Sequence, residues 1–372
     1  DMTSVETIFS FKSLLNKIGS NNFDFREKKI YIDPRDKINY IFNSSIQGIE
    51  ESDLILLIGT NPRHEATIVN ARIRKAFMQN KSLVYSIGNP GDLTYDYTLL
   101  GDDVNDIKNI LDGQSDISKK LKNAKKPIFI IGESILELKN SKYILEKTKN
   151  FLIENDFINE TWNALNILVQ NASTVGAIDL GFYNIDNKNN FIFFDKLKNN
   201  EFKLLYLVGS DNLEIKKNNE FIIYQGSHGD KNASIADVIL PGAAYTEQNG
   251  LFENLEGRIQ ECRKASYPIN EALEDWKIFN LINHSLNKSN LFLNFSAIRK
   301  LALQEIPDFL EIDSLPKKKK LPKTNNLLEA TSEKINIKKI DYYFSNSIAR
   351  ASKTMSDCRN ISKDNKKNGT IN

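Results

Sequence analysis

The sequence has 372 residues, of which 40% are hydrophobic and 26% charged. That is ordinary globular usage; it excludes wholesale disorder and fibrous repeats and predicts two or more packed lobes. Fifty lysines and arginines against 48 acids leave a net charge of +2, which removes the one-sided basic surface that a nucleic-acid binder uses to neutralise phosphates, so nucleic acid is not expected as a partner.

Two cysteines, Cys262 and Cys358, lie far apart with no CxxC, so neither a disulfide framework nor a four-thiolate cluster is expected within the chain. The apolar runs stop well short of the roughly 20 residues needed to cross a bilayer, and no direct membrane insertion is expected. The chain opens Asp-Met-Thr, without a basic segment followed by an apolar one, so no secretory signal is read. Its lack of an initiator Met at position 1 suggests a cleaved, split or partial chain.

In chain order, a short apolar run ending in glycine and a polar residue occurs five times: LILLIGTN (54–61), LVYSIGNP (83–90), IFIIGES (128–134), LLYLVGSD (204–211) and FIIYQGSH (221–228). Continuous apolarity marks strands covered on both faces, so these predict parallel sheets clothed by helices. Between the first two runs, Val69, Ile73, Ala76 and Phe77 share one helical face, which makes a strand–helix–strand unit. A second helix is predicted from a Thr161 cap through Trp162, Leu165, Val169 and Ala172. A third is predicted to start near Asp275 and bury Trp276, Phe279 and Ile282. In such folds ligands lie beyond the strand ends, so the glycine–polar loops are the expected lining of any crevice.

The loop TNPRHE (60–65) joins a strand to a helix, and its backbone N–H groups with Arg63 and His64 suit an anion. The plainer reading pairs Arg63 with a neighbouring carboxylate. No GxGxxG or P-loop lysine is present. In the glycine-rich stretch 224–260, His228, Asp230 and Asp237 are possible metal ligands, but His64 and His284 are remote in sequence and no HExxH pairing exists. Glu247, Glu253 and Glu256 are possible paired acids or simply a charged loop. Arg72, Arg74, Lys75 and Lys81 form a basic helix face, either solvated or turned to an acidic partner.

Two segments carry a resemblance. IQGIEESDLILLIGTNPRHEATIVNARIRKAF (46–77) is similar to the large iron–sulfur subunit of respiratory complex I, whose C-terminal half is related to molybdopterin oxidoreductases. GDKNASIADVILPGAAYTEQNGLFENLEGRIQ (229–260) matches the same family's ADVILP (236–241), E-x-x-G (247–250) and EGR-Q (256–260) pattern. Weaker likenesses follow at 88–103, 274–282 and 341–358, so the resemblance runs from about Val5 to Cys358.

It implies a molybdopterin-oxidoreductase-like α/β fold of Rossmann-like lobes over residues 1–313, a basic proline-containing linker at 314–326, a docking segment at 327–359 and a polar tail at 360–372. It also implies a structural, non-catalytic part of the complex I peripheral arm. The chain itself would carry no cofactor, because the family's [2Fe-2S] and [4Fe-4S] clusters belong to an N-terminal region upstream of this sequence. Gly59, Asn61, Arg63, Glu256, Gly257 and Arg258 are then vestigial pterin-loop candidates, with no catalytic or metal residue assigned. The expected partners are other hydrophilic-arm subunits, including the cluster-bearing N-terminal half, and the expected place is the matrix side of the mitochondrial inner membrane or the cytoplasmic face of a bacterial one. The alternative is a piece of a catalytic molybdopterin enzyme such as a formate dehydrogenase.

Overall fold

The computed structural model describes residues 2–186, 188–210, 213–229, 231–323 and 329–367. Five parallel strands form the larger sheet: β1 (Leu54–Ile58), β2 (Leu83–Ile87), β3 (Thr98–Gly101), β4 (Pro127–Gly132) and β5 (Leu165–Leu168), in the order β3-β2-β1-β4-β5. Every residue of β1 and β4 is buried, as expected of central strands clothed on both faces. The predicted strands at 54–61, 83–90 and 128–134 are therefore present, in one sheet.

Helix α1 (Val5–Lys17) precedes this sheet. After β1 come the one-turn α2 (Pro62–Glu65) and α3 (Thr67–Asn80), which buries Val69, Ile73 and Ala76 as its apolar spacing predicts and Phe77 in part. Next come α4 (Val104–Leu111), α5 (Asp116–Asn123), α6 (Glu133–Leu136) and α7 (Ser141–Glu154). Right-handed crossovers put α3, which links strands running one way along the sheet, opposite α4 and α7, which serve the reverse direction and pack together. The reversal falls between β1 and β4. There the backbones meet closely: a Cβ on Gly132 would lie 2.5 Å from the Gly59 carbonyl oxygen.

The expected helix from Thr161 is instead β5. Leu165 to Leu168 are buried on both faces, so their side chains carry no period of two to set against the helical reading. Asn166 also turns its side chain back on neighbouring main chain, accepting from Ser44 at 2.9 Å.

A second sheet holds β6 (Leu204–Val208), β7 (Phe221–Gly226) and β8 (Val238–Pro241), all parallel, and β9 (Gly250–Glu253) pairs with β10 (Ile259–Cys262) as a hairpin. The last two predicted runs thus lie in this separate sheet, so the five glycine loops do not line one common crevice. Helices α8 (Thr174–Asp179) and α9 (Ile192–Lys198) lead into it, and α10 (Asp275–Asn287) and α11 (Phe295–Glu305) follow. Helix α10 starts at the expected Asp275, burying Phe279 fully and Trp276 and Ile282 in part. Helix α1 joins this half of the molecule, with Phe11 stacked on Phe279.

Residues 314–323 carry no regular secondary structure. The C-terminal segment ends in α12 (Ser347–Ala351) and α13 (Lys353–Lys367), the latter running past the expected start of the polar tail at 360. Two faces of α3 provide a test. Ile73 is fully buried while Ile68 is 67% exposed, so Ile73→Ala should cost about 2–5 kcal/mol in chemical denaturation and Ile68→Ala less than about 0.5 kcal/mol.

Candidate functional site

Strand β1 delivers Gly59, at φ +60°, into the loop before α2. The donors of that loop are turned onto its own chain. Glu65 accepts the Asn61 main-chain N–H at 2.8 Å and the Thr60 hydroxyl at 2.8 Å. Burial pushes the Glu65 carboxyl above its ordinary range. The Asn61 side chain donates to the Pro90 carbonyl at 2.5 Å and accepts from the His64 amide at 3.3 Å. Arg63 pairs with Asp92. Arg63 thus follows the plainer reading and pairs with a neighbouring carboxylate.

The switch point beside this loop is acidic. Glu133, at the start of α6, accepts the Gln170 amide at 2.8 Å and pairs with Lys28 at 2.7 Å; Glu137 also reaches Lys28, at 3.1 Å. Burial works against charge on Lys28, but Glu133 and then Glu137 outweigh it and hold its pKa above the usual value.

Across these strand ends lie residues 331–338, which form an extended strap. Its burial alternates, with Ile335 buried, Glu333 and Ile337 half-buried, and Lys334, Asn336 and Lys338 exposed. Ile335 is 3% exposed and belongs to the main core. A Cβ on Gly59 would meet Ile135 at 2.5 Å and Ile335 at 3.3 Å, and one on Gly88, at φ +85°, would meet Ile335 at 3.0 Å. The strap's Ile335 amide donates to the Asp102 carbonyl at 2.7 Å, and its Glu333 carbonyl accepts the Val104 amide at 3.0 Å. The Glu333 carboxylate accepts the main-chain amides of Lys139 and Asn140 at 3.2 Å each, and the Asn140 side chain at 2.8 Å, at the N-terminus of α7.

The other candidate loop is the turn 254–258, with Gly257 at φ +77°. Glu256 accepts the Ile46 amide at 2.7 Å, and Arg258 donates to the Asp313 carbonyl at 2.7 Å. Pro316 lies where a Cβ on Gly257 would stand, 2.7 Å away. This turn sits toward the start of β4 and β5: Gly48 near it packs on Trp162, whose indole donates to the Pro127 carbonyl at 3.0 Å. Gly59, Asn61 and Arg63 lie at the opposite, carboxyl end of the strands. The structure therefore places the two sets of pterin-loop candidates at opposite ends of the strands.

Molybdopterin oxidoreductase is the family that matches residues 1–284. The chain belongs to the molybdopterin oxidoreductase family. Its relatives include the 75 kDa subunit of NADH-ubiquinone oxidoreductase of Reclinomonas americana, 37% identical across 98% of this chain and 55% of that protein. They also include the mitochondrial 78 kDa subunit of Candida albicans (39%; 96% of this chain, 50% of that protein) and an NADH-quinone oxidoreductase subunit of Rickettsia conorii (36%; 96% and 52%). The chain spans about half the length of these curated relatives. No helix among the described residues is long and apolar enough to cross a membrane.

The strand-end residues of this molybdopterin oxidoreductase family member do not fit the group for which the family is named. The cradle above Gly59 and Gly88 is filled by isoleucine side chains, the Thr60 hydroxyl and the Asn61 amide are spent on Glu65, and the cations beside the crevice, Lys28 and Lys338, are already paired with Glu133 and Glu137.

The remaining candidates disperse. His228 contacts the Ser227 hydroxyl at 2.8 Å, Asp237 pairs with Lys217 at 2.7 Å, and Asp230 lies outside the described residues. Among the described residues no group of His, Cys, Asp and Glu is arranged to hold a metal. Cys262 and Cys358 are free thiols. On the basic face, Arg72 and Lys75 share Glu50, Arg74 bonds the Thr94 carbonyl, and Lys81 ends α3 in the left-handed conformation. Of the proposed paired acids, Glu247 accepts the Ala244 amide at 3.1 Å and Glu256 serves Ile46, so neither joins Glu253.

Glu253 belongs to a buried cluster that sequence reasoning missed. Lys37 bridges Glu253 and Asp179, at 2.6 Å from the latter, and Tyr40 donates to Asp179 at 2.5 Å. Burial, then the nearby Asp179 charge, drives the Glu253 carboxyl well above its ordinary range. Its Oε2 receives no donor, and a proton there is what the raised pKa favours. The 142 and 216 residues separating Lys37 from its partners give no local signal.

Two outcomes follow. Lys37→Met strands buried carboxylates and should cost about 3–5 kcal/mol in denaturant titrations. Because the folded-state pKa of Glu253 is raised, its contribution to stability is full below the unfolded value near 4.5 and is lost as pH climbs toward the folded value. Glu253→Gln, which mimics the protonated acid, should therefore flatten the fall in melting temperature between pH 5 and pH 8; an unchanged slope would contradict protonation at Glu253.

Proposed function

We propose that this chain is a structural, non-catalytic portion of a complex I core subunit, supporting electron transfer from NADH to ubiquinone in the peripheral arm without a pterin or cluster of its own. The observation that carries this reading is the strand-end crevice, where an enzyme of this family would hold its cofactor and where this chain places Ile335 beside spent donors. Likeness to NADH-ubiquinone oxidoreductase subunits along 96–98% of the chain supports the assembly. Fold alone assigns no chemistry, so the reading rests on the site and on those relatives together.

Its partners are then other hydrophilic-arm subunits, among them the cluster-bearing region that the family's longer members carry. Its place is the matrix side of the mitochondrial inner membrane, held peripherally, or the cytoplasmic face of a bacterial one. Electrons pass through cofactors held elsewhere in the assembly, while this chain supplies packing surface. No observation favours the alternative of a catalytic fragment such as a formate dehydrogenase.

The test is purification of the native protein from solubilised membranes. The chain should migrate in native gels with a very large assembly that oxidises NADH, and metal analysis of the isolated chain should find molybdenum far below one per chain. Stoichiometric molybdenum with pterin fluorescence, or migration as a free monomer, would overturn the proposal.

A further inference from the structure

We infer that the strap, residues 331–338, is a built-in occupant of the crevice: the chain's own C-terminal segment stands in for a ligand, meeting both the polar and the apolar demands of the strand ends and closing them to a nucleotide. This inference stands on the geometry alone and does not depend on the assembly proposed above.

The polar demand comes from the turn into α7, where the main-chain amides of Lys139 and of the N-cap residue Asn140 precede the helix. A helix N-terminus favours an anion. The strap supplies one, because the Glu333 carboxylate accepts the amides of Lys139 and Asn140 and the Asn140 side chain. The apolar demand comes from the ends of β1 and β2, where Gly59 and Gly88 leave a hollow with no side chain of their own. Ile335 fills it.

Main-chain bonds fix the register. The Ile335 amide and the Glu333 carbonyl pair with Asp102 and Val104, and Lys334 forms an antiparallel bridge with Asp103. Charges agree with that register along the whole strap. Ser332 donates to Asp103 at 2.8 Å, Lys334 pairs with Asp102 at 3.0 Å, and Lys338 pairs with Glu137, so acids on both sides of the crevice hold the strap. The same alternation that buries Glu333, Ile335 and Ile337 turns the lysines outward to reach those acids.

Two variants test this on the full chain. With Cys262 and Cys358 replaced by serine, the pair Asp103→Cys and Lys334→Cys should form a disulfide under mild oxidation, since bridge partners hold their Cβ atoms about 4.5–5.5 Å apart. Failure to oxidise would overturn the placement. In this locked chain guanosine diphosphate, the probe for a nucleotide, should show no saturable binding, and saturable binding would overturn exclusion by the strap. Separately, Ile335→Asp should speed amide hydrogen exchange in peptides covering 57–61 and 86–89 at least about tenfold while 128–131 keeps its protection. Unchanged exchange at 57–61 and 86–89 would show that the strap does not cover the strand ends.

Discussion

The molecule depends on one close approach, between the ends of β1 and β4. Gly132 has no side chain, so the backbone of β4 can come within van der Waals reach of Gly59 and Thr60, where any Cβ would collide with main chain. This is also where the sheet reverses its winding, and in open α/β sheets that reversal parts the loops and creates a crevice. In this chain the strand ends are close-packed, and Ile135, Ile335 and Ile337 occupy the space above Gly59 and Gly88. The burial of Glu65 and Glu133 follows from the same crowding. Each carboxylate lies close enough to main-chain amides to consume them.

Function follows from how those polar groups are spent. A site poised for chemistry keeps donors free and aims them at a ligand. At these strand ends the Thr60 hydroxyl and the Asn61 amide reach Glu65, the Asn61 side chain reaches Pro90, and Arg63 is held by Asp92. The turn 254–258, so marked in the sequence, is a clamp: Glu256 ties down Ile46, Arg258 ties down the chain at 313, and Gly257 makes room for Pro316. Its glycine is required for a left-handed turn under a covering segment.

How much of this was legible depended on whether a residue's partner was near it in sequence. Strands β1, β2, β4, β6 and β7 could be read from uninterrupted apolar runs, and α3 and α10 from helical spacing. Strand β5 was misread because Trp162, Leu165, Val169 and Ala172 also fit a helix's spacing. Strands β3 and β8 are four residues each and largely exposed at sheet edges, so their apolar runs TLLG and VILP are too brief to read as strands. The strap did leave a trace in EKINIKK, residues 333–339, which alternates at a period of two, but one buried isoleucine between lysines looks like a solvated strand. The motifs around Arg63 and Glu256 were visible as segments, while their separation to opposite ends of the strands was not, because no local pattern encodes which end of a sheet a loop occupies.

The Lys37 cluster sets an order of events during synthesis. Lys37 leaves the ribosome first, Asp179 follows 142 residues later and Glu253 216 residues later. At about 5–20 residues per second the ammonium group waits roughly 10–40 s for its second carboxylate. Until then Lys37 has only Asp179 for a partner, so the segment around Tyr40 lacks one wall of its pocket. Its final packing is deferred until the β9–β10 hairpin has emerged.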